Sequence, residues 1–571
     1  MTRLHARIHP AHRPGSHTLL REPARIRPDH ELSTLVTRRQ IEIRRDGSIL
    51  WVISCYTGRF QRQEFSTFMV TCVIPSEEKK ALRRFPPPLK KLCGFPVLLA
   101  VLLALVVFLA VPKKIADPDI GWHLRNAQVQ IQTHAFLRRD LYSFTTQGKP
   151  WIDHEWLSEV PFYLAWRAFG PRGIFLVTVA AIETVLLGIL GLAYIESKSI
   201  KAAFLVSFVA IFLAGVSFGP RTLLFGWIFL VLELGLLAGF RRGRDALWAL
   251  PAVFLLWVNA HGSWIIGLVL LGLFVASGSV EGSWGSIGAT RWSRPQARKL
   301  AWVSLLSTLA VFVNPYGWRL VLYPFDLAFH QKLNIANVDE WRSLDFHSPR
   351  GKIVLATLAA AILLQLVRRR RWMLHQVLFL LVGTYAALTY SRFLFLAAIL
   401  VVPFLAEDLS QWMPYHADRD KPWLNAAIIL GSLVAVVLLF PSNRQLNEHS
   451  ANIYPDDATL TYLQNFHPRG NVFNDYLWGG YLIWNVRQVP VFIDSRVDVF
   501  ERNGVLADYL RAIRIEDSLQ VLDKYSIQYV LFENHRPLTY LLQHTSGWKV
   551  DYQDKTAILF ERTKHLAQGK E

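Results

Sequence analysis

Two short runs hold the residues best able to do chemistry: Asp117-Pro118-Asp119-Ile120-Gly121-Trp122-His123, and a little further on Trp151-Ile152-Asp153-His154-Glu155-Trp156-Leu157-Ser158-Glu159. Acids, histidines and tryptophans gathered beside an apolar segment are costly unless they bind or react with something, because inert polar residues would fill the same positions. Asp117 and Asp119, directly at the end of an apolar run, are the leading candidate site acids. Cations to steady a departing anion are supplied by Arg221, His261 and Arg392, with Arg319 and Arg342 in reserve; arginine suits phosphate because its planar fork binds two oxygens. His261, in Asn259-Ala260-His261-Gly262, falls between two apolar runs where packing gives it little reason to be. His123, His154, Glu155, Glu340 and Trp341 are candidate substrate contacts. Asp119 and Glu155 are also the oxygen donors that Mg²⁺ or Mn²⁺ accepts, and whether a metal is present is left open.

The elements that must position these residues are largely membrane spans. With 52% hydrophobic and 18% charged residues in 571, the chain is a polytopic α-helical membrane protein, not a soluble globule. About eleven runs of the ~17 to 23 residues that cross a bilayer fall at 94–111, 173–195, 201–218, 222–240, 246–259, 262–279, 300–314, 352–367, 373–389, 391–407 and 423–440. Lys and Arg concentrate before the first run and in alternate loops, at Lys198/Lys201, Arg241-Arg242, Arg291 to Lys299 and Arg368 to Arg371, so the amino terminus is expected in the cytoplasm. The 112–172 loop, Arg221, His261, the 315–351 loop, Arg392 and everything after 441 then share the outer face. The net charge of +19 reflects this topology, and nucleic acid is not an expected partner. Cys55, Cys72 and Cys93 all lie before the outer segments, which leaves those without disulfides.

Residues 1–68, rich in Arg, His and Pro, read as disordered or as an extension upstream of a true start at Met69, followed by a basic cytoplasmic segment at 69–93. Residues 94–440 form the transmembrane domain. In its first outer loop Pro118 favours an extended turn, so the two flanking carboxylates face one way. From about 153 to 169 the pattern is amphipathic and reads as a helix lying in the membrane interface, with His154, Glu155, Ser158 and Glu159 on its polar face. Residues 441–571 read as a small extracytoplasmic α/β domain with strands at 489–494, 528–533 and 557–562 and helices at 504–512, 517–525 and 536–543. Asp475, Asp494, Arg496 and Asp498 are expected on a polar rim of that domain.

An early Asp-x-Asp-type motif in a large first outer loop, a surface helix, many spans and a soluble outer carboxyl-terminal domain resemble the GT-C superfamily of polyprenyl-phosphate-dependent glycosyltransferases. That group includes protein mannosyltransferases, aminoarabinose transferases and oligosaccharyltransferases. The resemblance covers about 94 to 562. It implies transfer of a hexosyl or pentosyl group from a polyprenyl-phosphate-linked sugar to a glycan, lipid or protein acceptor, with inversion, and Asp117 or Asp119 as base. Members of the group differ in whether they use Mg²⁺ or Mn²⁺. The tail segment Asn474-Asp475-Tyr476-Leu477-Trp478-Gly479-Gly480 is similar in flavour to an oligosaccharyltransferase signature but lacks its paired tryptophans, so sequon recognition is not implied.

The expected location is a bacterial cytoplasmic (inner) membrane, crossed many times, with the carboxyl-terminal domain in the periplasm. The rival readings are a polytopic transporter or an envelope-assembly scaffold. Against the first stand the absence of an internal repeat and the scarcity of mid-span charges beyond Glu183 and Glu233; against the second, the gathering of acids, histidines and arginines on one face.

Overall fold

The computed structural model describes residues 9–10, 38–43, 49–54, 67–71 and 87–563, apart from 369, 416–419, 449–453 and 456. It divides into two compact units, Met1–Leu92 and Cys93–Glu571. In the first, strands His9–Pro10, Thr67–Thr71, Ile49–Ser54 and Arg38–Ile43 pair antiparallel in that order. The remainder of 1–86 lies outside the described residues, and with it most of the segment expected to be disordered or to precede a start at Met69.

All eleven expected spans are helical in the second unit. Five helices are long and apolar enough to cross a membrane by length and composition: Pro171–Ser197, Ile200–Ser217, Leu223–Arg241, Ser391–Trp412 and Pro422–Leu439. Phe95–Ala110, Leu247–Ala260, Trp264–Ser277 and Leu374–Thr389 are apolar but shorter. Arg294–Ala310 and Pro349–Arg368 complete the set, each carrying charged residues in its first turn. Five helices thus meet the length and composition of a span, and the expected count of eleven crossings is not confirmed. Several of the segments read as spans stop after about three to four turns at ~3.6 residues per turn, at Gly278 or at the extended backbone of His261 and Tyr390.

Local chemistry explains these boundaries. The Ser199 hydroxyl accepts from the Ala202 amide to start one helix, and Ser293 with Gln296 forms a capping box at another. Gly170, at φ +63°, makes the turn between Trp156–Phe169 and Pro171–Ser197, a backbone region open mainly to glycine. Around Pro171–Ser197 pack Ile200–Ala214, Leu223–Arg241 and Leu394–Leu409, filling the core with Leu, Val, Ile and Ala and with the buried rings of Trp227, Trp257 and Phe395.

After the last of these helices comes a four-stranded sheet ordered Trp548–Gln553, Ala557–Arg562, Ile527–Glu533, Asn471–Asn474. The first three run antiparallel, and Asn471–Asn474 is parallel to its neighbour. Helices Val505–Ile513, Ser518–Lys524 and Pro537–Gln543 fall where the sequence places them, as do two strands. The third expected strand, 489–494, is not part of the sheet. Its apolar side chains are buried, but its backbone bonds the first loop instead: the Phe144 amide donates to the Val491 carbonyl at 3.1 Å and the Val491 amide to the Tyr142 carbonyl at 3.3 Å.

The Trp156–Phe169 helix also departs from expectation. Its polar residues Ser158 and Glu159 are buried together with Phe162 and Tyr163, against the Ile120–Thr133 helix. Two contacts offset the burial of that face: Ser158 Oγ donates to the Ala260 carbonyl at 2.7 Å and Asn126 Nδ2 to Glu159 Oε1 at 3.0 Å, while Glu159 Oε2 has no hydrogen-bond partner among the described residues.

Candidate active site

Asp119 stands at the head of the Ile120–Thr133 helix, and Pro118 holds the chain extended just before it. Asp117 is buried and fully engaged. Its Oδ1 accepts from the Asp119 amide at 3.0 Å, a turn typical of aspartate, and its Oδ2 accepts from Arg221 Nε at 3.0 Å. Arg221 follows Pro220 in the link before Leu223–Arg241, and its other arm grips Glu340. Burial would pull the Arg221 guanidinium down, but Asp117 and Glu340 hold it above its ordinary range. Burial raises Asp117 despite the Arg221 charge.

Asp119 is placed differently. Its carboxylate accepts from Trp122 Nε1 at 3.2 Å and has no ion pair among the described residues. Burial, and then the neighbouring charge of Asp117, push it up to about 8. One carboxylate of the pair thus anchors an arginine, while the other, half-buried, is held near neutrality.

Glu155 is the second focus. His261 Nε2 approaches its Oε1 at 3.2 Å, His154 Nε2 at 3.6 Å, and His123 Nε2 lies 3.6 Å from its Oε2. His261 Nδ1 accepts from the Ser263 amide at 3.0 Å, which puts the ring proton on Nε2, aimed at Glu155. Burial raises Glu155 to about 7 and lowers His154 to about 4, with His123 and His261 pushed well down by the same cause. The imidazoles are thus neutral hydrogen-bonding groups rather than cations. Behind them His123 Nδ1 meets Glu159 at 2.8 Å, and Gln130 Nε2 donates to Asp153 at 2.7 Å. His154 stacks on Tyr323 with ring centroids 4.4 Å apart.

Arg392 lies flat over Trp341, 4.2 Å from the ring centroid, and no carboxylate pairs with it among the described residues. Trp341 is held by Tyr390 and Phe393 in edge contacts, and Ser391 is tied to the 339–342 turn through the Arg342 carbonyl at 2.9 Å. The charge on Arg392 is felt by Glu340, Arg221, Glu155 and Asp119. A guanidinium among acids that none of them pairs is placed to take an anion from outside the chain.

The carboxyl-terminal region closes the site. Ser495 Oγ accepts from Trp122 Nε1 at 3.0 Å and donates to the Pro118 carbonyl at 3.2 Å. Gly121 and Gly480 bring two backbones into contact: a Cβ on Gly480 would sit 2.1 Å from the Pro118 carbonyl oxygen, and one on Gly121 2.0 Å from that of Gly480. Arg496 and Asp494 do not form a rim. Buried, Arg496 bonds Asp494 at 2.8 and 2.6 Å and reaches Asp140 of the first loop at 2.7 Å, between the rings of Tyr142 and Trp151. Asp475 and Asp498 are buried as well; Asp475 is raised to about 6 by burial and caps a turn through the Leu477 amide.

All ten residues singled out as catalytic, phosphate-binding or substrate-binding therefore fall in one region, whereas Arg319 and Arg342 do not: the first lies against Trp318, the second pairs with exposed Asp339 at 3.2 Å. Trp122, Ser495, Tyr323, Asn126 and the Arg496 cluster were not singled out for the site, and only the tight Gly479-Gly480 pair hinted at a close approach. Among the described residues no group of three or more His, Cys, Asp or Glu is arranged to hold a metal ion.

No protein-family model matches the sequence, and no curated protein matches it. Two of the solved structures that align with most of the chain are these. The oligosaccharyltransferase of Archaeoglobus fulgidus, tethered to an acceptor peptide, aligns at 10% identity over 82% of this chain and 74% of its own, with a TM-score of 0.48. ArnT of Cupriavidus metallidurans, bound to undecaprenyl phosphate, aligns at 14% identity over 81% of this chain and 97% of its own, with a TM-score of 0.46. Likeness at this level assigns no activity.

Proposed function

We propose that the chain is a membrane glycosyltransferase of the GT-C kind, moving a sugar from a polyprenyl-phosphate donor to an acceptor hydroxyl at the outer face of a bacterial cytoplasmic membrane. One observation carries the reading: Asp119, a carboxylate that burial and Asp117 push up to about 8, shares a site with Arg392, an arginine that no acid pairs among the described residues. A base works best when its pKa lies near the operating pH, and a departing phosphate needs a cation and no proton.

In this reading Asp119 takes the proton of the acceptor hydroxyl. The freed oxygen attacks the anomeric carbon, the bond from that carbon to the phosphate oxygen breaks, and the prenyl phosphate leaves with the electron pair. Arg392 binds the phosphate, and Arg221, oriented by Asp117, adds charge from the side. A single displacement of this kind inverts the anomeric centre. His261, assigned to the phosphate from sequence, instead steadies Glu155 together with His123 and His154. Glu155, Glu340 and Trp341 are left to contact the sugar.

Purified protein in proteoliposomes, given a labelled polyprenyl-phosphate hexose, should release polyprenyl phosphate in an acceptor-dependent way. Asp119→Asn should lower turnover by about 10² to 10⁴-fold, the usual worth of a general base, without loss of donor binding. Donor flux across the bilayer that is indifferent to Asp119→Asn would move the assignment to transport.

A further inference from the structure

A second polar cleft opens where the first loop meets the carboxyl-terminal region. It has a volume of about 240 Å³ and is lined by Arg125 and Arg487, the aromatic Tyr142 and Phe144, and Ser143 and Gln147. Arg125 Nη1 donates to Gln128 Oε1 at 2.7 Å and Arg487 Nη2 donates to the same oxygen at 3.2 Å. The two guanidiniums therefore approach within about 6 Å of each other. Neither is paired with a carboxylate among the described residues, unlike Arg221 and Arg496. Arg125 is depressed by burial and then by the charge of Arg487, and Gln128 Oε1 bridges the two guanidiniums. Arg125 shares the Ile120–Thr133 helix with Asp119 at its head, about 9 Å away along the axis at ~1.5 Å per residue.

We propose that this cleft binds an anionic group, a phosphate or carboxylate carried on a saccharide acceptor, and so favours acidic acceptors for transfer at Asp119. Each guanidinium has donors beyond the one given to Gln128 that a saccharide-borne oxyanion can take, and the mixed polar and apolar walls, Val129, Leu141 and Val489 among them, leave room for the sugar that bears it. The separation from Asp119 suits an acceptor whose anion and reacting hydroxyl lie on different sugar units of a saccharide. This assignment rests on the transferase reading above, but the binding itself is measurable without turnover.

The test titrates the full-length protein in detergent with mannose 6-phosphate and, separately, with mannose, in wild type and in Arg125→Gln, Arg487→Gln and the double variant. Arg487 is exposed, so its replacement preserves the fold if Arg125→Gln does not. The expected result is salt-sensitive binding of mannose 6-phosphate, weakened at least tenfold in each single variant, with mannose bound no better by wild type than by the variants. Equal binding of the two sugars, or binding indifferent to both substitutions, overturns the proposal. So does arginine dependence that appears only with phosphatidylglycerol nanodiscs and not with mannose 6-phosphate, which would assign the cleft to a lipid headgroup. Native mass spectrometry with polyprenyl phosphate in the same samples separates the outcomes: loss of prenyl phosphate binding in wild type sinks the transferase reading, whereas retention with no sugar-phosphate binding sinks only this one.

Discussion

Replacing Gly480 with alanine should uncouple the carboxyl-terminal region from the aspartate motif. The added Cβ would lie 2.1 Å from the Pro118 carbonyl oxygen, against the 3.4 Å at which ordinary contact begins. The two backbones must therefore separate by about 1.3 Å, and no rotamer change relieves a clash with main chain. Helix propensity favours alanine by about 1 kcal/mol at this helical position; overpacking between backbones costs about 1 to 3 kcal/mol and prevails. Pro118 sits between Asp117 and Asp119, so the shift reaches the base directly, and a displacement near 1 Å costs about 10² in rate. The assay is kcat/KM for sugar transfer, with thermal unfolding followed by tryptophan fluorescence. Gly431→Ala, where nothing lies within 4 Å of the new Cβ, serves as the control. Gly480→Ala with activity within twofold of wild type and an unchanged Tm would refute the reasoning.

Because Asp119 is held near 8, kcat/KM should rise with pH and level off above about 8, and the residual activity of Asp119→Asn should show no such rise. Stability should run the other way. Asp119, Glu155 and Asp153 are raised to about 8, 7 and 7 in the folded protein, so their contribution to stability is full below about pH 4 and is lost as pH climbs toward 8. The lowered His123, His154 and His261 act in the opposite sense only below their ordinary value of about 6.5, so Tm measured from there up to pH 8 should fall, and fall less steeply in Glu155→Gln. Arg496→Met strands the buried carboxylates of Asp494 and Asp140, so denaturant unfolding should show a loss of about 3 to 5 kcal/mol; a loss below 1 kcal/mol would mean that the cluster is not structural.

Residue type and spacing made part of the site legible in the sequence. Asp117 and Asp119 stand on either side of a proline that fixes their turn, and Glu155, Arg221, His261 and Arg392 all lie where apolar runs end. Long-range partners were not legible. Arg342 looks no different from Arg392 in the sequence, yet one pairs with exposed Asp339 and the other lies over Trp341 facing the acids. The choice between Asp117 and Asp119 likewise depends on Arg221, which no local pattern links to either. In the carboxyl-terminal region 489–494 is apolar enough to read as a strand, but it pairs with the first loop. Asn471–Asn474 is too short, and Trp548–Gln553 too exposed, to signal the strands they form.

The most direct test of the central claim is native mass spectrometry of the detergent-purified protein with added undecaprenyl phosphate, comparing wild type, Asp119→Asn and Arg392→Ala. The account predicts a bound prenyl phosphate in wild type and in Asp119→Asn, and its loss in Arg392→Ala. No bound lipid in wild type, or full retention in Arg392→Ala, would contradict it.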